Sequence, residues 1–184
     1  MFLFKGNRSY LHSTDIINFI EKNYKYNQID IKFYKLLRSQ PKITLSKKNN
    51  TKANIIAEIG IKKLKKYLNF FETNQKIKNS YSYDENLLKN YFKINNQEVK
   101  CNFLTTIKHI DLIVSMSKEW HIKKINKKKI WMVVRINLKK MIIDSKHKNI
   151  CIKISKITNK KYTVSDIYIN EKHHGKIYYS VISL

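Results

Sequence analysis

Alternating apolar and polar positions predict most of the strands in this chain of 184 residues. In the segment "IDIKFYKLL", Ile29, Ile31 and Phe33 alternate with more polar neighbours, and this period of two is typical of a half-buried strand. Similar segments predict strands at 2–4, 42–45, 53–61, 66–73, 98–104, 130–138, 149–157, 162–169 and 176–184. The chain is therefore predicted to be rich in β-sheet.

Two details of the last strands can be tested against a structure. In "IWMVVRINL" the positions on one face are predicted to be Ile130, Met132, Val134, Ile136 and Leu138. The segment "NEKHHG", residues 170–175, is predicted to be a turn, which would place His173 and His174 at the surface.

The segment "STDIINFIEKNY", residues 13–24, has the spacing of a short amphipathic helix. Ile16 and Ile20 lie on one face of this helix, because residues four apart are neighbours on a helix surface. Ser13 or Thr14 can cap its N-terminus with a side-chain oxygen. A helix is therefore predicted to begin directly after His12.

Two more helices are predicted in the second part of the chain. The segment "SYDENLLKNYF", residues 82–92, begins with Ser82 and Glu85 at the spacing of a capping box. The segment "TTIKHIDLIVSMSKEWH", residues 105–121, is the longest helical candidate. Its apolar stripe is formed by Ile107, Ile110, Ile113, Val114 and Ser117.

The two halves of the chain have the same order of predicted elements: a strand, a helix and then four strands. We predict a first unit over residues 1–75, a connecting helical segment over 76–98, and a second unit over 99–184. A weak sequence similarity accompanies this order, since "TDIINFI" corresponds to "HIDLIVSM" and "IDIKFYKLL" corresponds to "IWMVVRINL". The alternative is a chance similarity between two isoleucine-rich halves.

This order of elements resembles a double hot-dog fold over nearly the whole chain. In that superfamily an antiparallel sheet wraps around a central helix, and two such units sit side by side. The resemblance implies an α+β protein with two tandem hot-dog-like units. Hot-dog proteins typically bind acyl groups carried as thioesters on coenzyme A or acyl carrier protein, and many are dehydratases or thioesterases. Because one fold supports several chemistries, the implied function is an analogy.

The resemblance also implies candidate site residues. Hot-dog dehydratases place a histidine directly before the central helix of one unit, and a carboxylate from the helix of the other unit faces it. His12 in "YLHSTDI" matches the first position, and Glu119 or Asp111 on the second long helix matches the other. His12 would remove an α-proton, and the carboxyl would protonate the departing hydroxyl. Amides at the helix N-terminus would polarise the thioester carbonyl.

One departure from the family leaves an alternative open. The chain has no glycine at the entrance of the first helix, where a thioester would approach the backbone. The protein could then be a binding or structural relative without catalytic activity. In that interpretation His12 is an exposed residue before a helix, and Glu119 is a solvated helix carboxylate.

Other chemistry-bearing residues are assigned structural roles. His121 near a helix C-terminus is expected to interact favourably with the helix dipole. Trp120 and Trp131 are expected in the core or an interface, and Cys101 and Cys151 are expected to be small core residues.

The net charge of +25 points to a polyanionic partner. Only three of the 38 basic residues are arginines, whose planar fork is the preferred ligand of phosphates. The abundance of Lys, Asn, Ile and Tyr is also typical of an A/T-biased genome. We therefore expect an acidic acyl carrier protein as partner, with lysines spread over the surface and no aromatic platform beside their densest patch. The alternative is a basic RNA-binding protein, such as a ribosomal protein of an A/T-rich organelle or symbiont.

Composition excludes several other classes. Three glycines are too few for a Gly-rich phosphate loop, and no apolar run approaches the roughly 20 residues of a membrane span. Two cysteines form no disulfide framework and no zinc-ligand spacing. The start of the sequence lacks the apolar region of a signal peptide. We expect a cytoplasmic protein that binds no metal or cofactor, and a homodimer is compatible with the sequence.

Overall fold

The computed structural model describes residues 1–61, 64–84, 86–104, 107–125, 129–139 and 147–182. Its helices are α1 (Ser13–Asn23), α2 (Asn86–Lys89) and α3 (His109–Lys124). Its strands are β1 (Phe4–Lys5), β2 (Gln28–Phe33), β3 (Lys42–Ser46), β4 (Ile55–Ile61), β5 (Leu64–Phe71), β6 (Ser80–Tyr81), β7 (Phe92–Ile94), β8 (Glu98–Leu104), β9 (Ile130–Leu138), β10 (His147–Thr158), β11 (Tyr162–Ile169) and β12 (Lys172–Ile182). The predicted α+β class is confirmed.

The chain divides into two compact units. Unit 1 comprises Met1–Asp84 with Lys139–Met141, and unit 2 comprises Glu85–Leu138 with Ile142–Leu184. The division follows Asp84 and so falls inside the segment 76–98 that the sequence predicts to connect two units.

Unit 1 contains a four-stranded antiparallel sheet in the neighbour order β3-β5-β4-β2, and a short parallel pair of β1 with β6. Ile29 and Ile31 of β2 pair with Ile59 and Ala57 of β4, and all four are buried. The alternation predicted for β2 is confirmed, since burying one face of a sheet requires apolar residues at every second position.

Unit 2 contains a six-stranded antiparallel sheet in the neighbour order β9-β12-β11-β10-β8-β7. Helix α3 contacts strands β8, β9 and β10 of this sheet. Twelve of the 16 residues of α3 are buried. A helix with one apolar stripe would bury less than half of its residues, and α3 therefore also buries polar side chains.

Two tight hairpins connect β10 to β11 and β11 to β12. Their central residues are Asn159–Lys160 and Asn170–Glu171, and all four have positive φ, between 48° and 65°. Two successive left-handed residues match the right-handed twist of the flanking strands, and asparagine tolerates this conformation well.

The predicted helix over 82–92 is wrong in its extent. Only Asn86–Lys89 forms a helical turn, and Phe92 already belongs to β7. Of the residues predicted to form its apolar face, Leu88 and Phe92 are buried, whereas Leu87 is 71% exposed and Tyr91 is 54% exposed. Glu85, the second member of the predicted capping box, lies outside the described residues.

The predicted inner face of β9 is wrong in the first half of the strand. Trp131 and Val133 are buried there, and Ile136 and Leu138 are buried in the second half. Tyr179 of β12 pairs with Val133 and its neighbour Tyr178 with Arg135, so Val134 is an extra residue in β9. This β-bulge shifts the alternation by one position.

The predicted turn over 170–175 is also too long. Asn170 and Glu171 form the turn, while His173 and His174 belong to β12. His174 is 8% exposed, and His173 donates a hydrogen bond to Asp166. The placement of His174 at the surface is therefore wrong, because β12 begins directly after the two-residue hairpin.

The two units are not equivalent in strand order. Four antiparallel strands follow the long helix in each unit, as the sequence predicts. Their neighbours are β2-β4-β5-β3 in unit 1 and β9-β12-β11-β10 in unit 2. The tandem duplication is consequently not confirmed by the sheets and stays a prediction.

Candidate functional site

His12 of unit 1 caps helix α1. Its backbone is extended, and its ring atom Nδ1 accepts a hydrogen bond from the Thr14 backbone N–H at 3.4 Å. This is the position for which the sequence predicts Ser13 or Thr14, so that prediction is wrong. The side chain is only 9% exposed, and the interpretation of His12 as an exposed residue is therefore also wrong.

A buried chain of hydrogen bonds defines the proton positions at His12. The Nδ1 atom lies 2.9 Å from the Thr14 hydroxyl, and the Lys5 ammonium donates to the same hydroxyl oxygen at 2.9 Å. Since Nδ1 accepts from the Thr14 amide, it carries no proton, and the Thr14 hydroxyl donates its hydrogen to it. His12 is then the neutral tautomer with its proton on Nε2.

Lys5 is the most unusual member of this chain, because its side chain is only 1% exposed. Its ammonium lies 3.8 Å from the centre of the Tyr83 ring, within the range of a cation–π contact. Nearby, the Tyr81 hydroxyl donates to the Asp15 carboxylate at 2.7 Å. The sequence offered no signal for the burial of Lys5, since lysines are rarely buried without partners.

The first amides of α1 bind within the chain. The Thr14 amide donates to the His12 ring, and the amides of Asp15 and Ile16 donate to the His12 carbonyl oxygen at 3.0 and 3.3 Å. Amides that are already bonded are poorly placed to polarise a carbonyl. The predicted polarisation of a thioester carbonyl by the amides of this helix N-terminus stays a prediction.

The two candidate carboxylates lie on helix α3 of unit 2. Asp111 is in the first turn and Glu119 in the third, eight residues later, which corresponds to about 12 Å along the helix axis. They are therefore alternatives rather than a pair acting on one substrate atom. The pairing of His12 with either of them stays a prediction.

Glu119 is buried rather than solvated, with 6% of its surface exposed. Its carboxylate oxygens lie 3.7 Å from the Lys89 ammonium and 3.5 Å from that of Lys123. It lines a cleft of about 60 Å³ together with Lys89, Phe92, Ser115, Lys118 and Ile122. This cleft can hold a few atoms beside a carboxylate and is much smaller than a typical ligand pocket.

His121 occupies the core of unit 2. Its ring is stacked on Trp131 with centroids 4.3 Å apart, and lies 4.7 Å from the Tyr179 ring. Burial lowers the pKa of His121 to about 4. The ring is therefore neutral near pH 7, and the predicted interaction of a cationic His121 with the helix dipole is wrong.

The remaining residues with assigned structural roles behave largely as expected. Trp120 and Trp131 are buried, which confirms their prediction as core residues. Cys101 is buried as well, and burial raises the pKa of its thiol to about 12. Cys151 is partly exposed, so its prediction as a core residue is not confirmed, and its Sγ atom donates to Glu98 at 3.5 Å.

A scan against protein-family models finds no match for this chain, and a search of curated proteins finds none either. Within the described parts of the chain, no group of three His, Cys, Asp or Glu side chains is placed to hold a metal ion. In the same residues no helix is long and apolar enough to cross a membrane.

Proposed function

We propose that this protein is a hot-dog-type protein that binds or processes an acyl thioester of coenzyme A or acyl carrier protein. The observation that carries the proposal is helix α3 of unit 2, which is buried at 12 of 16 positions and contacts an antiparallel sheet. Hot-dog units pack an antiparallel sheet around a central helix, and the contacts of α3 with β8, β9 and β10 support the proposal.

Surface charge supports a carrier protein as the source of the thioester. The chain carries 38 basic and 13 acidic residues. Such an excess of lysine attracts an acidic partner over long distances without requiring bidentate contacts.

The cap geometry favours an exchange of the catalytic roles that the sequence suggested. In its neutral tautomer His12 presents an N–H at Nε2, so it is a hydrogen-bond donor rather than a base. Glu119 lies between two ammonium groups, and a carboxylate in that setting is an acceptor. We therefore assign His12 the role of polarising the thioester carbonyl. A carboxylate, that of Glu119 or of Asp111, would receive the α-proton.

The test is to incubate the protein with 3-hydroxyacyl and saturated acyl thioesters of coenzyme A and of acyl carrier protein. Mass spectrometry would detect loss of water or hydrolysis, and calorimetry would detect binding. We expect binding of at least one thioester. We also expect a loss of about 100-fold or more in rate for His12→Asn, which retains a capping side chain but removes the imidazole N–H that would polarise the carbonyl.

Matched controls distinguish chemistry from surface charge. Glu119→Gln and Asp111→Asn identify the carboxylate, whereas Glu58→Gln removes a carboxylate that pairs with exposed Lys65 in unit 1 and should leave the rate unchanged. The proposal is wrong if neither binding nor turnover is detected with any of these thioesters at millimolar concentration.

A further inference from the structure

The outer face of the sheet in unit 2 carries tyrosines next to basic side chains. Tyr162 and Tyr168 lie on β11 and Tyr178 lies on β12, and all three are partly exposed. We call these three residues, together with Arg135 and Lys153, the tyrosine face. Its inner counterpart is formed by the buried residues Thr163, Ser165, Ile167 and Ile169 of β11.

Two cations lie directly over rings of this face. The Arg135 guanidinium is 5.2 Å from the centre of the Tyr178 ring, and the Lys153 ammonium is 5.1 Å from that of Tyr168. The Tyr162 ring lies 6.4 Å from that of Tyr178. The rings of Tyr168 and Tyr178 therefore each have a cation within reach of a group that stacks on them.

The two cation–aromatic positions are separated along the sheet. Tyr178 of β12 is paired with Val164 of β11. Tyr168 lies four residues beyond Val164 on β11, which corresponds to about 13 Å along the strand. An extended chain that follows β11 could reach both positions. A compact ligand could occupy only one of them.

Acidic side chains on this face have basic partners. Asp166 accepts a hydrogen bond from His173 at 2.9 Å and lies 3.5 Å from the Lys176 ammonium. Glu98 lies 2.7 Å from the Lys100 ammonium. With Lys153 added, three lysines accompany these two carboxylates, so this group has an excess of positive charge at neutral pH.

We propose that the tyrosine face binds single-stranded nucleic acid, with bases stacked on Tyr168 and Tyr178 and phosphates near Lys153 and Arg135. Open sheets with aromatic side chains between basic ones bind single strands because any unpaired base can stack on a ring. The expectation that the densest lysine patch has no aromatic platform beside it stays a prediction. The inference does not depend on the proposed thioester function, which concerns α1 and α3.

The experiment measures binding of the full chain to fluorescent 20-nucleotide single-stranded RNA and DNA by anisotropy, across a salt series. Tyr168→Leu and Tyr178→Leu should each weaken binding by about 5- to 150-fold, the range for losing one stacked base. Tyr168→Phe should retain the affinity. Lys153→Gln should reduce the log–log salt slope by about 1.

Tyr34→Leu is the matched control, since Tyr34 is 58% exposed in unit 1 and outside the tyrosine face. The proposal is overturned if wild-type protein does not bind, if Tyr34→Leu weakens binding as much as the face variants, or if an acidic carrier protein competes while tyrosine substitutions have no effect.

Circular dichroism monitors folding of each variant. Should the leucine variants fail to fold, photo-crosslinking of wild-type protein to 4-thiouridine RNA replaces them. Adducts on Tyr168 or Tyr178 support the proposal, and adducts mapped only elsewhere refute it.

Discussion

The Nε2 atom of His121 on α3 lies 2.6 Å from the hydroxyl oxygen of Thr163 on β11, and both side chains are fully buried. The other ring nitrogen, Nδ1, lies 2.6 Å from the carbonyl oxygen of Ser117. A carbonyl only accepts, so Nδ1 carries the proton and Nε2 accepts the hydrogen of the Thr163 hydroxyl. The neutral imidazole thus joins the central helix of unit 2 to its sheet.

This arrangement predicts that unit 2 loses stability in mild acid. In the unfolded chain His121 takes up a proton below about pH 6.5, whereas in the folded chain it does so only near pH 4. Between these values the unfolded state binds more protons, so the free energy of unfolding falls as the pH is lowered, by at most roughly 3 kcal/mol. Urea unfolding at several pH values measures this slope.

His121→Gln is the control for that experiment, because glutamine does not titrate in this range. The difference between the two pH profiles isolates His121 from the other histidines. Identical slopes for both proteins between pH 6.5 and 4 would show that the His121 ring is not held neutral by the fold.

Two hydroxyls on the inner face of β11 should respond differently to substitution. Thr163→Val removes the donor to His121 and leaves a buried acceptor unpaired, which should cost about 1–3 kcal/mol of stability. Ser165 is equally buried, but its hydroxyl oxygen has no hydrogen-bond partner among the described residues. Ser165→Ala should therefore be close to neutral. Thermal or urea unfolding of both variants compares them, and an equal loss would argue against the His121–Thr163 bond.

Gly175 is predicted to be intolerant of any side chain. Its φ is +152°, and an added Cβ would lie 1.9 Å from the carbonyl oxygen of Asn137. Gly175→Ala must therefore distort the pairing of β12 with β9, and we expect a loss of more than about 2 kcal/mol in the free energy of unfolding.

Gly6 provides the comparison, since its φ is +60° but the nearest atom to an added Cβ is 3.6 Å away. Gly6→Ala should cost only the backbone strain, about 1 kcal/mol. Chemical denaturation of the two alanine variants separates steric overlap from strain, and similar losses would contradict the close approach at Gly175.

His12 should have separable structural and functional roles. His12→Ala removes the cap of α1 and should cost about 1 kcal/mol, whereas His12→Asn supplies another capping side chain and should recover most of that loss. Amide hydrogen exchange in residues 14–17 reports on the cap. If the asparagine variant is as unstable as the alanine variant, the ring contributes more than a cap to the stability of unit 1.

Much of the secondary structure was determined by local sequence pattern. The predicted segments 98–104 and 162–169 coincide with β8 and β11, and the helix predicted at 13–24 differs by one residue from α1. Burial of one face imposes a period of two on a strand and of about 3.6 on a helix, and both periods are visible within one segment. The hairpin at Asn170–Glu171 was placed only approximately, because a two-residue turn has little sequence to define its ends.

Tertiary structure decided the positions where a partner lies far away in the chain. The bulge at Val134 arises from the pairing of β9 with β12, and the sequence "IWMVVRINL" contains no residue that predicts it. The hydrogen-bond partner of His121 is 42 residues away, and the burial of Lys5 depends on Thr14 and the Tyr83 ring. Periodicity reports which face of an element is buried, but whether a buried polar group is stable depends on the atoms that the fold brings to it.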